Sequence, residues 1–122
     1  MSKYSMGLTA QMLSFNRHMA LDHVGGDESL LKEVVQLFLM EYPQQLEQVE
    51  QGVNDSDPDL LERSAHSLKG SLGTLGGEVA AIFASALEVM GRTRNLEGAR
   101  ERLAELQSSI QLLHRELLTI VE

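Results

Sequence analysis

Apolar residues recur every three or four positions through nearly the whole 122-residue chain, and this spacing is what most constrains the fold. One segment, for example, places Leu61, Leu68, Leu72 and Leu75 on the same face of a helix at about 100° per residue. No segment shows the apolar-polar alternation of a half-buried strand, and no internal repeat is present. The sequence therefore predicts an all-α protein.

Helix boundary signals divide the first half of the chain. The stretch FNRHMALDHVGG predicts a short helix that ends at Gly25 and Gly26. Asp27 then provides an N-cap for a long second helix, and Pro43 should kink or locally break it. The apolar residues along this second helix are Leu30, Leu31, Val34, Val35, Leu37, Phe38, Leu46 and Val49.

Three further helices follow. Asp57 is a plausible N-cap with Pro58 at the first helical position, and Gly76 with Gly77 ends that third helix. The predicted inward residues of the third helix are Leu61, Ser64, Leu68, Leu72 and Leu75, with Val79 beyond them. The predicted apolar side of the fourth helix consists of Val79, Ile82, Phe83, Ala86, Leu87 and Met90. The stretch GRTRN ends the fourth helix, and Asn95 can cap the fifth. The predicted stripe of the fifth helix is Leu96, Ala99, Leu103, Leu106, Ile110, Leu113, Leu117 and Ile120.

Four amphipathic helices joined by short turns predict an antiparallel up-and-down four-helix bundle with a short additional N-terminal helix. We expect a single domain over residues 1–122, in which residues 1–14 form a loosely ordered N-terminal segment.

Composition and charge exclude several function classes. The net charge is −8 with only three lysines, so nucleic-acid binding is not expected. No apolar run reaches the ~18–20 residues of a membrane span, and no secretion signal opens the sequence, so we expect a cytoplasmic protein that does not bind membranes. The absence of cysteine excludes disulfides and thiolate metal sites.

One segment combines helical spacing with an unusual number of glycines. In AHSLKGSLGTLGG, residues 65–77, each glycine inside the helix costs about 0.5–1 kcal/mol relative to alanine. A helical wheel places His66 opposite the core face, surrounded by Glu62, Arg63, Lys69, Gly70, Gly73 and Gly77. Because glycines at exposed helical positions bury nothing in the bundle, we expect them to let another molecule approach the imidazole. The predicted docking face for a partner consists of Gly70, Gly73, Gly77, Glu62 and Arg63. We interpret His18, His23 and His114 as ordinary surface or satisfied side chains.

The chemistry available at His66 is narrow. A neutral imidazole is itself a nucleophile, while no serine or cysteine nucleophile and no glycine-rich nucleotide loop is evident. The chain is therefore not expected to bind ATP alone, which leaves acceptance of a group delivered by a partner. Lys69, one turn along, can stabilise charge on a phosphoryl group.

The same residues resemble the signature of the histidine-containing phosphotransfer (HPt) domain family. The matching residues are Ala65, His66, Ser67, Leu68, Lys69, Gly70, Ser71, Leu75 and Gly76. The upstream helix pair, with its GGD entry and late proline, is also similar to the family, so the resemblance covers nearly the whole chain. It departs from the common pattern at Leu72, Thr74 and Gly77.

The resemblance implies a phosphorelay carrier, not an enzyme with ATP-dependent kinase activity of its own. His66 would accept a phosphoryl group, on Nε2, from an aspartyl phosphate of a response-regulator receiver domain and pass it to another receiver. Lys69 would be the nearby cation, Gly70 would keep the imidazole approachable, and Glu88 corresponds to a glutamine that binds the histidine in some members. Arg63 and Arg92 could contact the receiver.

The expected partners are receiver domains and a sensor or hybrid histidine kinase, with the protein itself a monomer. We expect no cofactor and no metal in this chain, because the family's Mg²⁺ belongs to the receiver.

Other interpretations remain open from the sequence. The chain could be a receiver-docking module that has lost transfer, or an HPt domain excised from a hybrid or chemotaxis-type kinase. A metal-binding bundle would need repeated carboxylate-histidine pairs on facing helices, whereas Glu62 with His66 and His18 with Asp22 are isolated i,i+4 pairs.

Overall fold

The computed structural model describes residues 13–122 of the chain, and these residues form five α-helices. The helices are α1 (Arg17–His23), α2 (Glu28–Asn54), α3 (Pro58–Leu75), α4 (Glu78–Thr93) and α5 (Ala99–Val121). Helix α2 packs on α3, α3 on α4, α4 on α5, and α5 closes the ring against α2. Because the connections are short, consecutive helices run antiparallel, which confirms the predicted up-and-down bundle with a short extra helix.

The core is built mainly from leucine. Its largest fully buried side chains are Leu31, Val35, Val49, Leu61, Leu68, Leu72, Leu75, Leu87, Leu106, Ile110, Leu113 and Leu117. The predicted inward face of α3 is confirmed, since all five of its helical residues are buried. On α2, by contrast, Leu30 and Leu37 are 41% and 53% exposed, so they lie outside the core stripe.

Capping side chains fix the starts of α2 and α3. The carboxylate of Asp27 accepts from the Leu30 N–H at 3.1 Å, and that of Asp57 accepts from the Leu60 N–H at 3.1 Å. Both predicted N-caps are therefore confirmed. Of the two predicted effects of Pro43, a kink or a local break, the break is wrong, because α2 is continuous from Glu28 to Asn54. Pro43 removes one helical hydrogen bond, but it lies on the exposed side of α2, and Phe38 before it and Val49 after it are buried in the core.

The connection between α3 and α4 consists of Gly76 and Gly77. Gly76 adopts φ +83°, a left-handed conformation that glycine adopts without a Cβ penalty, and it terminates α3 as predicted. Its carbonyl accepts from the Asn16 N–H at 2.7 Å, and the carbonyl of Leu13 accepts from the Val79 N–H at 3.2 Å. The chain entering α1 is thus hydrogen-bonded to this turn. Of the segment expected to be loosely ordered, residues 1–12 lie outside the described residues.

The end of α4 falls within the predicted stretch GRTRN, whereas the start of α5 differs from the prediction. Helix α4 ends at Thr93 with Arg94 in the left-handed region, while Gly91 lies inside the helix. Helix α5 begins at Ala99 with Gly98 at its N-cap, so the prediction that Asn95 caps it is wrong. The Asn95 side chain instead accepts from the Glu97 N–H at 3.2 Å within the turn.

The buried face of α4 agrees with the predicted one only in part, because Leu87 is buried and Phe83 and Met90 pack against the core, as predicted. The residues that face the bundle are Ala80, Ala84, Leu87, Glu88 and Gly91. Ile82 is 48% exposed although it belongs to the predicted stripe. Small residues on the true inner face let α4 approach α3 closely, and this packing outweighs the burial of the larger apolar side chains. Because this face of α4, which only partly overlaps the predicted one, is turned toward the bundle, Glu88 lies at the interface with α3.

Candidate phosphoryl-acceptor site

His66 lies on the solvent side of α3, as the helical wheel predicts. Its side chain is 66% exposed, whereas the preceding Ala65 is fully buried. Leu68 and Leu72 on the opposite face anchor α3 in the core. The imidazole is therefore carried by a rigid helix and presented to solvent.

Glu88 reaches His66 from the neighbouring helix α4. The Glu88 carboxylate is only 5% exposed, and its Oε2 lies 2.9 Å from His66 Nδ1. Because an ionised carboxylate can only accept hydrogen bonds, Nδ1 carries the ring proton and donates it. Nε2 is then the unprotonated nitrogen, and it makes no hydrogen bond within residues 13–122.

Two cations share the same carboxylate. Lys69 Nζ lies 2.6 Å from Glu88 Oε1, and Arg92 Nη2 lies 2.8 Å from Glu88 Oε2. Arg92 also donates through Nε to Glu62 at 3.2 Å. The histidine, lysine and arginine are thus organised around one buried acidic group.

The pKa of Glu88 is lowered from the ordinary glutamate value. The hydrogen bond from Lys69 is the largest cause; burial acts in the opposite direction, and the hydrogen bond from His66 and the charges of both partners lower the pKa further. Glu88 is therefore ionised at neutral pH, and its negative charge is directed at the imidazole.

Two glycines leave the helix surface beside His66 bare. At both Gly70 and Gly73, a Cβ would have no described atom within 4 Å outside its own stretch of helix. Both residues are exposed, and the intervening Leu72 is buried. Neither glycine is required for packing, so the bare surface is available for contact with another molecule.

The structure removes Gly77 from the predicted docking face. Gly77 is buried, and a Cβ there would lie 2.8 Å from Leu113 Cδ2 and 3.4 Å from Leu72 Cδ2. Close packing against α5 therefore accounts for this glycine. The helical wheel placed it wrongly because the left-handed turn at Gly76 ends the regular helix one residue earlier.

The remaining predicted residues border a cleft of about 720 Å³ beside the imidazole. Its lining residues are Glu62, Arg63, His66, Ser67, Glu88 and Arg92. Arg63 is exposed and donates through Nε to the Asp59 carbonyl at 3.2 Å. Arg63 is therefore near the site without being part of the Glu88 cluster.

An apolar groove of about 550 Å³ on the other side of His66 was not predicted. Val34, Leu37 and Phe38 of α2 line it together with Ser67 and Gly70 of α3. Met40, 79% exposed, also lies on α2. The sequence contains one indication of this groove, because Leu37 and Met40 do not fall at the helical spacing of the buried residues of α2. That pattern alone does not show which helix lies beside them.

The other histidines contact neighbouring groups. His23 Nδ1 lies 2.7 Å from the Thr74 carbonyl, and His114 Nδ1 lies 2.6 Å from the Tyr42 hydroxyl. His18 pairs with Asp22 at 3.5 Å in an exposed i,i+4 contact. Within residues 13–122, no group of three or more histidine, aspartate or glutamate side chains is arranged to hold a metal ion. None of the helices in this part of the chain has the length and apolarity that crossing a membrane requires.

Comparison with known proteins agrees with the helical-bundle fold. The model of the Hpt domain matches residues 33–116, well over half of the chain. The chain is also similar to the crystal structure of histidine-containing phosphotransfer protein B (HptB) from Pseudomonas aeruginosa PAO1, with a TM-score of 0.80 and 16% identity over 87% of this chain and 92% of that one. At this identity the structural likeness shows the shared fold. A search of curated protein sequences gave no match. The match to the family model shows that this chain belongs to the Hpt domain family, the histidine phosphotransfer proteins of phosphorelay signalling.

Proposed function

We propose that His66 is the phosphoryl-accepting residue and that it carries the group between the aspartates of two receiver domains. The observation that carries the proposal is the exposed imidazole whose Nδ1 is bound to Glu88, because this arrangement leaves Nε2 as the free nucleophile. Hpt proteins are phosphocarriers that work with receiver domains and histidine kinases. The specific partners would be the receiver domains whose aspartyl phosphate can come within reach of His66.

In the acceptance step, the lone pair of His66 Nε2 attacks the phosphorus atom of an aspartyl phosphate. The bond between phosphorus and the aspartate oxygen breaks, and its electron pair leaves with the carboxylate. Delivery reverses this sequence with the carboxylate of a second receiver. Mg²⁺ held by the receiver would neutralise charge on the phosphoryl oxygens in both steps.

Lys69 would supply a positive charge on the side of this domain. Its ammonium group already lies within the cluster, 2.6 Å from Glu88 Oε1, and its side chain is partly exposed. A phosphoryl group on Nε2 brings three acceptor oxygens beside it, so Lys69 can exchange a carboxylate contact for a phosphoryl contact. Arg92 is a second cation that could act in this way, whereas Arg63 would contact the partner.

Gly70 and Gly73 would form the path of approach. In each step, Nε2, the phosphorus atom and the aspartate oxygen must lie in line, and a long side chain one turn away would obstruct this approach. The open surface at both positions supports this role. The adjacent apolar groove on α2 would add contact area for the partner.

The proposal is tested by incubating the full chain with a receiver domain phosphorylated on aspartate. We expect acid-labile, alkali-stable phosphate on the wild-type protein and none on His66→Gln. His114→Gln is the matched control, because His114 lies in the bundle away from the site, and it should still accept the group. Acceptance by His66→Gln would contradict the assignment.

The same experiment separates the alternative interpretations. A docking module without transfer would bind the receiver but acquire no phosphate. An HPt domain that is part of a larger kinase would transfer normally, so the sequence of the complete gene distinguishes this alternative. A metal-binding bundle would retain stoichiometric metal in elemental analysis after purification.

A further inference from the structure

The buried Glu88 carboxylate has a consequence for the second half of the transfer cycle. In its acceptor state His66 carries one proton, on Nδ1, which is directed at Glu88 Oε2. When Nε2 bonds to phosphorus and Nδ1 keeps its proton, the ring becomes a positively charged phosphoimidazolium. A carboxylate 2.9 Å from Nδ1 stabilises that positive charge.

We propose that Glu88 is a positioning residue that keeps Nδ1 of phospho-His66 protonated, so that the phosphoryl group is delivered with a neutral imidazole as the leaving group. This inference rests on the proposed function and specifies how the same site releases the phosphoryl group. In delivery, the receiver carboxylate attacks phosphorus, the P–Nε2 bond breaks, and its electron pair returns to Nε2. The product is the starting imidazole with its proton still on Nδ1, so no proton moves in either direction.

Loss of the Nδ1 proton between the two steps would slow delivery. The departing group would then be an imidazolate anion, which is a much poorer leaving group than neutral imidazole. An uncharged amide at position 88 could still accept the Nδ1–H bond and hold the ring, but it would supply less stabilisation to the charged ring. The negative charge of Glu88, and not only its position, therefore sets the pH up to which phospho-His66 keeps its Nδ1 proton and can deliver the phosphoryl group.

The other charged groups around His66 do not replace this contact. On α3, Glu62 pairs with Arg92, Arg63 bonds to the Asp59 carbonyl, and Lys69 carries a positive charge that disfavours ring protonation.

On α4, Arg92 shares Oε2 with the imidazole. From α2, Glu41 lines the groove beyond Ser67 and Gly70. Helix α1 meets α3 at Thr74, two turns beyond His66, through His23. Within the described residues, Glu88 is thus the acidic group in direct contact with Nδ1.

The test measures the protonation of the phosphorylated ring directly. The full chain, labelled with ¹⁵N-histidine, is phosphorylated with phosphoramidate, and imidazole ¹H–¹⁵N spectra are recorded from pH 6 to 10. We expect the midpoint for loss of the Nδ1 proton of phospho-His66 to be about one pH unit or more higher in the wild type than in Glu88→Gln. At a pH above both midpoints, the protonated fraction of phospho-His66 should then be up to about tenfold lower in Glu88→Gln than in the wild type. The rate of phosphoryl loss, followed by ³¹P NMR, should be lower by the same factor.

Glu62→Gln is the matched control, because it removes the same charge from the same cleft without touching the imidazole. Its midpoint should stay close to that of the wild type. Coincident midpoints for wild type and Glu88→Gln would overturn the inference, and so would an equal shift in both variants, which would indicate a general field effect.

Two further measurements keep the proposals distinguishable. If Glu88→Gln does not fold, the wild-type midpoint is compared with that of free Nε2-phosphohistidine, and equality of the two would overturn the inference. If the wild-type chain acquires no phosphate on His66 from either phosphoramidate or a phosphorylated receiver, the proposed function itself is wrong, and the inference falls with it.

Discussion

Gly91 of α4 lies directly against the backbone of Glu62 in α3. A Cβ on Gly91 would stand 2.6 Å from the Glu62 nitrogen and 2.7 Å from the Pro58 carbonyl oxygen. These are backbone atoms, which cannot rotate away as the end of a side chain can. The contact sets the distance between the two helices that carry His66 and Glu88.

Gly91→Ala should therefore destabilise the bundle by about 1–3 kcal/mol, the usual cost of overpacking. Urea denaturation followed by circular dichroism measures the change. Gly73→Ala is the matched control, since its Cβ would enter open space within a helix, and it should stabilise the protein by about 0.5–1 kcal/mol. Equal stability of Gly91→Ala and wild type would show that α4 moves away from α3 at little cost.

Gly70→Gln should preserve the fold and slow phosphotransfer. Because a Cβ at this position meets no described atom within 4 Å outside its own stretch of helix, loss of glycine should stabilise α3 by up to about 1 kcal/mol. The long side chain would nevertheless occupy the surface beside His66 and hinder the approach of a receiver. Transfer rates from a phosphorylated receiver test this expectation, with exposed Ser108→Gln on α5 as the control. An unchanged transfer rate would show that the receiver does not need the bare surface at Gly70 to approach His66.

Lys69→Met should slow transfer by about 10²-fold, the usual cost of removing one group that stabilises charge in the transition state. Methionine keeps most of the aliphatic stem, so packing along α3 should change little. Single-turnover measurements with a phosphorylated receiver give the rate, and Lys32→Met, exposed on α2, is the matched control. If both variants transfer equally fast, the cation required for transfer comes from the receiver or from Arg92.

The lowered pKa of Glu88 predicts a loss of stability in acid. Because the folded-state pKa lies below the ordinary value of about 4.3, the ionised carboxylate stabilises the fold fully above that value. Its contribution is lost as pH falls through the folded-state pKa. The difference in free energy of unfolding between wild type and Glu88→Gln should accordingly shrink as pH is lowered from 7 to 3.

Chemical denaturation at a series of pH values measures this difference. Glu47→Gln, at an exposed position on α2, is the control and should show little dependence on pH. A wild-type advantage that stays constant down to pH 3 would contradict the assignment of an ionised Glu88 to the folded state.

The sequence predicted the helices, the caps at Asp27 and Asp57, and the exposure of His66, because each depends on local spacing or on bonds between residues close in sequence. It also predicted the inner face of α3, where large leucines recur without interruption. The prediction was only partly right at α4, where Leu87 is buried but Ile82 is exposed, because large apolar residues and small residues compete for the interface. Local pattern alone cannot decide that competition, since it depends on how closely a second helix approaches.

The same limit applies to individual residues of the site. The stretch GRTRN predicts the end of α4, yet its Gly91 lies inside the helix and is a glycine because it packs against the backbone of α3. Gly77 was placed beside His66 by a regular wheel, yet the turn at Gly76 buries it against Leu113. Glu88 was linked to the histidine through the family resemblance, and the spacing of apolar residues gave no reason to place it inside the bundle.

By itself, the sequence determined an all-helical chain with one exposed histidine on a helix lined by glycines. These properties follow from side-chain periodicity and from backbone preferences that act within a few residues. The tertiary structure decided which acidic group meets that histidine. Close packing of small residues orients α4 so that the carboxylate of Glu88, 22 positions from His66 in the chain, accepts hydrogen bonds from His66, Lys69 and Arg92.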